Sequence, residues 1–180
     1  MLIRILAIIL APLAVAALVV GQAQARWRAA SEELRHRLAI TIPSASPAYS
    51  ATELVGLPTP VARYFRSVLR DGQAIIRQAS VTWSGQFNMG QPGRDRWVPF
   101  TATQAFAPAT RGFVWDARMA MAPGLPVLVC DAFVDGVGSM HGAILGLVRV
   151  VDVEGTPGIA RSALLRFLGE AVWLPTALLP

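Results

Sequence analysis

The sequence predicts an α+β protein: a curved antiparallel β-meander packed on one or two helices, behind an N-terminal apolar helix. Three observations carry that prediction. An uncharged run from Ile5 to Val20 opens the chain. Two later stretches, around residues 60–69 and 159–172, place apolar residues at helical spacing. Between them the period drops to two, in five short runs separated by Gly- and Pro-containing turns.

The N-terminal segment has the order of an export signal. Met1 to Arg4 is a short basic start, 16 uncharged residues follow, and Ala23-Gln24-Ala25 has the small-x-small form of a cleavage site. Residues 1–25 therefore read as a signal peptide or a retained membrane anchor. Sixteen helical residues rise about 24 Å, short of a hydrocarbon core of about 30 Å, which favours cleavage. Arg26, Arg28, Arg35 and Arg37 follow the segment, and a positive-inside count would put the domain in the cytoplasm. The basic-apolar-small order outweighs that count, so the expected location is the extracytoplasmic side of the cell envelope, exported or membrane-anchored. Residues 26–50 read as a juxtamembrane helix, with Trp27, Ala30, Leu34 and Leu38 in register, then a Pro/Ser linker from Thr41 to Ser50. A single α+β domain fills 51–180.

That domain opens with a helix from Pro60 to about Leu69, with Thr59 as its N-cap. Val61, Tyr64, Phe65, Val68 and Leu69 form one face and Arg63, Arg66 and Arg70 the other. The strands expected next are 79–87, 97–106, 113–121, 127–134 and 139–153, the last weakened by Gly142 and Gly146 and bulged or bent there. The simplest packing has the sheet cradle the Pro60 helix. A second helix, Ile159 to Val172, turns Leu164, Leu165, Leu168 and Val172 inward and pairs Arg166 with Glu170 four residues on.

Four segments resemble a family of uncharacterised bacterial membrane-associated proteins, a domain of unknown function. They are Leu57-Pro58-Thr59-Pro60-Val61-Ala62-Arg63-Tyr64-Phe65, Trp97-Val98-Pro99-Phe100-Thr101-Ala102-Thr103-Gln104, Phe113-Val114-Trp115-Asp116-Ala117-Arg118, and Glu170-Ala171-Val172-Trp173-Leu174-Pro175-Thr176-Ala177-Leu178-Leu179-Pro180. The resemblance covers about Leu54 to the end. It implies one domain behind a membrane segment, continued by further strands beyond Pro180, so that the domain here is truncated. It brings no established activity and no catalytic residues.

Composition narrows the function. Apolar residues make up 54% and charged residues 15%, against a usual charged share of about 25%. Such a chain has a large core, an apolar groove or a partner surface. All 16 basic residues are arginine, the net charge is +5, and the arginines are scattered without interleaved aromatics. Nucleic acid is therefore not an expected partner. The lone cysteine, Cys130, excludes an internal disulfide and a Cys-rich zinc site. No phosphate loop, nucleophile elbow or His-Glu-x-x-His motif is present, and neither cofactor nor metal is expected.

Two sets of residues are candidates for chemistry. Asp131, Asp135 and His141 fall around one strand end and turn, and Glu170 lies beside Trp173. Carboxylates and an imidazole are the groups for acid–base work, although Asp135-Gly136 is also an ordinary turn and Glu170 an ordinary partner of Arg166. Trp83, Trp97, Trp115, Phe133 and Trp173 are the second set. Large rings on strands either make a core or line a pocket for a lipid or another apolar ligand. The leading expectation is a non-enzymatic envelope protein that binds such a ligand on a curved sheet. The alternatives are an enzyme acting on an envelope substrate through Asp131, Asp135, His141 or Glu170, and a structural or interaction module of a membrane complex.

Overall fold

The computed structural model describes residues 2–40 and 48–180, with side chains from Leu10 onward in the first stretch. Met1 and residues 41–47, which hold most of the expected linker, lie outside the described residues. The chain is α+β. Helix α1 spans Leu2–Ile40 and α2 Thr59–Val68; strands β1 (Ala79–Asn88), β2 (Trp97–Ala107), β3 (Gly112–Ala122), β4 (Leu125–Val134), β5 (Val137–Ile144) and β6 (Val148–Glu154) follow; α3 (Pro157–Glu170) comes last. The six strands form one open sheet in chain order, each antiparallel to the next, with β1 and β6 at its edges.

The fifth expected strand is in fact two. Leu145 and Gly146 both take positive φ, 56° and 76°, the backbone of a tight hairpin turn. Gly146 is thus a turn residue, whereas Gly142 sits where the β5–β6 register shifts, as a bulge. Asp135 and Gly136 repeat the device between β4 and β5, at φ 53° and 78°.

Period-two alternation sorts the strand residues onto two covered faces. One face holds Val98, Ala102, Phe106, Phe113, Trp115, Ala117, Met119, Val127, Val129 and Phe133, packed with Ala163, Phe167 and Ala171 of α3 and its extension. The other holds Ala107, Val114, Cys130, Ala132 and Val134 under Leu38, Trp27 and Leu34 of α1. Two helices therefore pack on the sheet, one on each side.

The sequence-based packing needs two corrections. The Pro60 helix is not cradled by the sheet. Its Ala62 and Phe65 close on Tyr49, Leu54 and Leu69, with Leu178 and Leu179 against them, as a separate small core. The sheet face is taken by α3, and of the side expected to turn inward only Leu164 packs on the core. Ala163 and Phe167 are buried, while Leu165, Leu168 and Val172 are exposed. Close approach decides this: a Cβ on Gly138 would lie 2.7 Å from the Cα of Ala160, so glycine on the strand and alanines on the helix let the two backbones meet. Thr59, expected to cap α2, is its first residue, and Pro58 occupies the cap without a side-chain bond. The C-terminal segment is fixed from within, since the buried Thr176 hydroxyl accepts the Ile76 amide at 3.0 Å.

Helix α1 runs unbroken through Ala23-Gln24-Ala25, so the helix expected from Arg26 to Leu38 is its second half. That half lies along the sheet. Ala23 meets the β5–β6 turn at Gly146, and Leu38 reaches Gly112 at the opposite end, where Arg37 also pairs with Asp135 at 2.9 Å. The first half projects past the end that carries the β1–β2, β3–β4 and β5–β6 turns, with Leu10, Leu13, Val15 and Leu18 exposed. Among the described residues, no helix is long and apolar enough to cross a membrane.

Candidate functional site

A polar chain crosses the apolar layer between the sheet and α3. Arg166 is its centre. Its Nη1 donates to Asp131 Oδ2 at 2.5 Å and its Nε to Glu170 Oε1 at 2.9 Å. The guanidinium lies over the rings of Phe113 and Trp115, 5.0 and 4.9 Å from their centroids, where the ring faces favour a cation. Glu170 Oε2 accepts from Gln104 Nε2 at 2.6 Å, and Gln104 Oε1 accepts from Trp83 Nε1 at 3.0 Å. Gln104 is wholly buried. The side chains of Asp131, Arg166 and Glu170 keep only 14, 27 and 19% of their exposure. Burial pushes the Asp131 carboxyl above its ordinary value, and Arg166 only partly offsets it.

The opposite face carries a second polar row beneath α1. The ladder aligns Thr82, Thr103, Asp116, Cys130, His141 and Asp152 as successive cross-strand neighbours. Helix α1 answers them: Trp27 Nε1 donates to Asp116 at 3.3 Å, and Arg35 donates to Thr103 at 2.9 Å and pairs with Asp116 at 3.5 Å. His141 Nδ1 meets Asp152 at 2.8 Å, Arg149 binds the same carboxylate, and Glu154 lies 3.9 Å from His141 Nε2. The hydrogen bond from His141, then that from Arg149, holds the Asp152 carboxyl below its ordinary value. Cys130 sits beside His141 in the ladder, but burial, and then the charge of Asp116, push its thiol up to about 12, which leaves it unreactive at neutral pH.

Two grooves flank α1. The larger, about 790 Å³, lies between the helix and the β5–β6 hairpin. Trp27, Ala30 and Leu34 form its helix wall, Leu147 and Val151 its strand wall, and Arg26, His141, Arg149, Asp152 and Glu154 supply charge. The smaller, about 320 Å³, lies on the other flank, between Gln24, Trp27 and Arg28 of the helix and Thr82, Thr101, Thr103 and Arg118 of the sheet.

The candidate polar residues therefore fall in three places. Asp131 and Glu170 share Arg166 on the α3 face; His141 lies on the α1 face; Asp135 stands in the β4–β5 turn with Arg37. Among the described residues, no three of His, Cys, Asp and Glu converge as a metal site would require. Of the aromatic set, Trp115 and Phe133 are buried in the core. Trp83 packs on Trp173 at 5.1 Å, with Trp173 half exposed, and Trp97 is exposed at the start of β2. Gln104 and the α1-facing groove were not anticipated. A polar residue between Ala102 and Phe106 on an inward strand position is the signal that marks Gln104.

This architecture, an open six-strand meander with a helix on each face, defines a class of fold without a class of chemistry. The chain belongs to a family of unknown function, DUF6544, whose model matches residues 47–180. No curated protein and no solved structure matches it.

Proposed function

We propose that the protein is a non-enzymatic envelope protein that binds an amphipathic, lipid-like molecule in the groove between α1 and the β5–β6 hairpin. The observation that carries this reading is the groove itself. Its volume of about 790 Å³ lies within the usual range for small-molecule sites, about 300–1,000 Å³. Its walls divide the labour an amphiphile requires: Trp27, Leu34, Leu147 and Val151 offer apolar surface, and Arg26, His141, Asp152 and Glu154 offer polar partners. The groove begins where the exposed apolar half of α1 leaves the sheet, next to the surface from which a lipid would enter. The rings on the α3 face support the core, so the ligand site moves to the other side of the sheet.

The test is native mass spectrometry of the chain purified from membranes in mild detergent. A bound lipid of defined mass is expected, lost in Ala30→Trp, whose indole fills the groove from the exposed helix side. Protein free of lipid in both forms overturns the reading. An interaction module is the second reading, favoured by one observation: Leu165, Leu168, Val172 and Trp173 leave an exposed apolar stripe along the outer side of α3. That reading predicts self-association or partner capture that Leu168→Glu abolishes, with the groove empty.

A further inference from the structure

One end of the molecule gathers apolar and cationic groups beside the smaller groove. The apolar half of α1 leaves the sheet there, past the β1–β2, β3–β4 and β5–β6 turns, because Ala23 packs on Gly146 while Leu38 sits at the far end. Those turns present Trp97, Leu125 and Leu147 to solvent, Trp97 at 57% exposure. Behind them, Arg28 and Arg118 line the smaller groove together with Thr82, Thr101, Thr103 and Asp116. Thr101 and Arg118 are direct neighbours in the ladder. Arg35 and Arg37 of α1 are neutralised by Asp116 and Asp135. Arg28 and Arg118, by contrast, have no ion-pair partner among the described residues.

We propose that this end docks on an anionic bilayer, with a lipid phosphate held between Arg28 and Arg118. The order of groups is the one an interface selects. Apolar side chains and an exposed indole stand outermost, where they enter the acyl boundary. A cationic layer stands just behind, at headgroup depth. Guanidinium forks match phosphate oxygens in pairs, and the hydroxyls of Thr82 and Thr101 add neutral donors. Charge complementarity selects the anionic surface over a neutral one: Asp116, the carboxylate that lines this groove, is held by Arg35 and Trp27, which leaves Arg28 and Arg118 without a counter-ion. The site is on the opposite side of α1 from the amphiphile groove, so either can fail without the other.

The test uses the full chain and flotation with vesicles of phosphatidylcholine alone or mixed with phosphatidylglycerol. Arg28→Gln/Arg118→Gln is expected to bind phosphatidylglycerol vesicles about 25-fold more weakly, about fivefold for each arginine, with binding to neutral vesicles unchanged. Both side chains are exposed, and an unchanged melting temperature verifies the fold. Arg63→Gln/Arg66→Gln on α2 removes the same charge elsewhere and is expected to leave binding within about twofold. Equal loss in the two double variants overturns the proposal, as does equal binding of wild type to both vesicle types. Inorganic phosphate supplies the last arm. If it binds in solution as tightly as vesicle phosphate, and only through Arg28 and Arg118, the site serves a free anion and the bilayer assignment is wrong.

Discussion

Replacing Arg166 with methionine tests whether the polar chain on the α3 face holds the fold together. The side chain is close in volume and retains contact with Phe113 and Trp115, so the change isolates the charge. It leaves Asp131 and Glu170, both mostly buried, without their shared cation. Removing one partner from a buried pair costs about 3–5 kcal/mol. The residual exposure here places the expected loss near the lower bound, about 3 kcal/mol. At about 2–4 °C per kcal/mol for a chain of this size, the melting temperature falls by about 6–12 °C. The cost is larger at neutral than at acid pH, because losing the cation pushes the Asp131 carboxyl higher still and protonation relieves it. Adding Asp131→Asn and Glu170→Gln to Arg166→Met recovers at least half of the loss, since no uncompensated charge remains. Urea denaturation near pH 7 and near pH 5 measures both effects. A loss below about 0.5 kcal/mol, or a triple variant no better than the single one, refutes the argument from charge compensation.

Three further outcomes follow from individual residues. Asp131 has its folded carboxyl raised above the ordinary value; ionised, it costs stability that is regained as pH falls from neutral toward the ordinary carboxylate range. Asp131→Asn removes that slope, so the wild type gains on the variant as pH is lowered, and a gap that moves the other way contradicts the assignment. Leu145 holds φ 56° in the β5–β6 turn, a backbone that asparagine adopts more readily. Leu145→Asn is expected to raise stability by about 0.5–1 kcal/mol in denaturant melts, and no gain rejects the argument from backbone strain. The Cys130 thiol, buried and raised to about 12, reacts with a thiol reagent only after unfolding; a native-state rate near that of a free thiol rejects the reading of Cys130 as an inert core residue.

Much of the strand layout was legible because period two is a local signal. The runs around Val81, Phe106, Phe113 and Cys130 became β1 to β4 as expected. The β5–β6 hairpin was misread because its turn puts leucine at a positive φ, a residue that carries no turn signature. Helix faces were harder. On α3 the leucines look inward by periodicity, yet Gly138 makes room for Ala160, and the side that carries Ala160, Ala163 and Phe167 turns inward because it permits closer approach. The Arg166–Glu170 pair was visible at i,i+4, but Asp131 joins it across 35 residues, a distance that only the folded sheet closes. The groove beside α1 was not legible at all. It requires the second half of the helix to lie across the strands, which depends on Trp27 and Arg35 finding Asp116 and Thr103.

The most direct test of the central claim is a titration of the isotopically labelled chain with a short-chain phospholipid below its micelle concentration, followed by amide chemical shifts. The groove reading predicts saturable shifts at Ala30, Leu147 and Val151, with the α3 stripe around Leu165 and Leu168 unmoved. Shifts confined to that stripe, or none that saturate, contradict it.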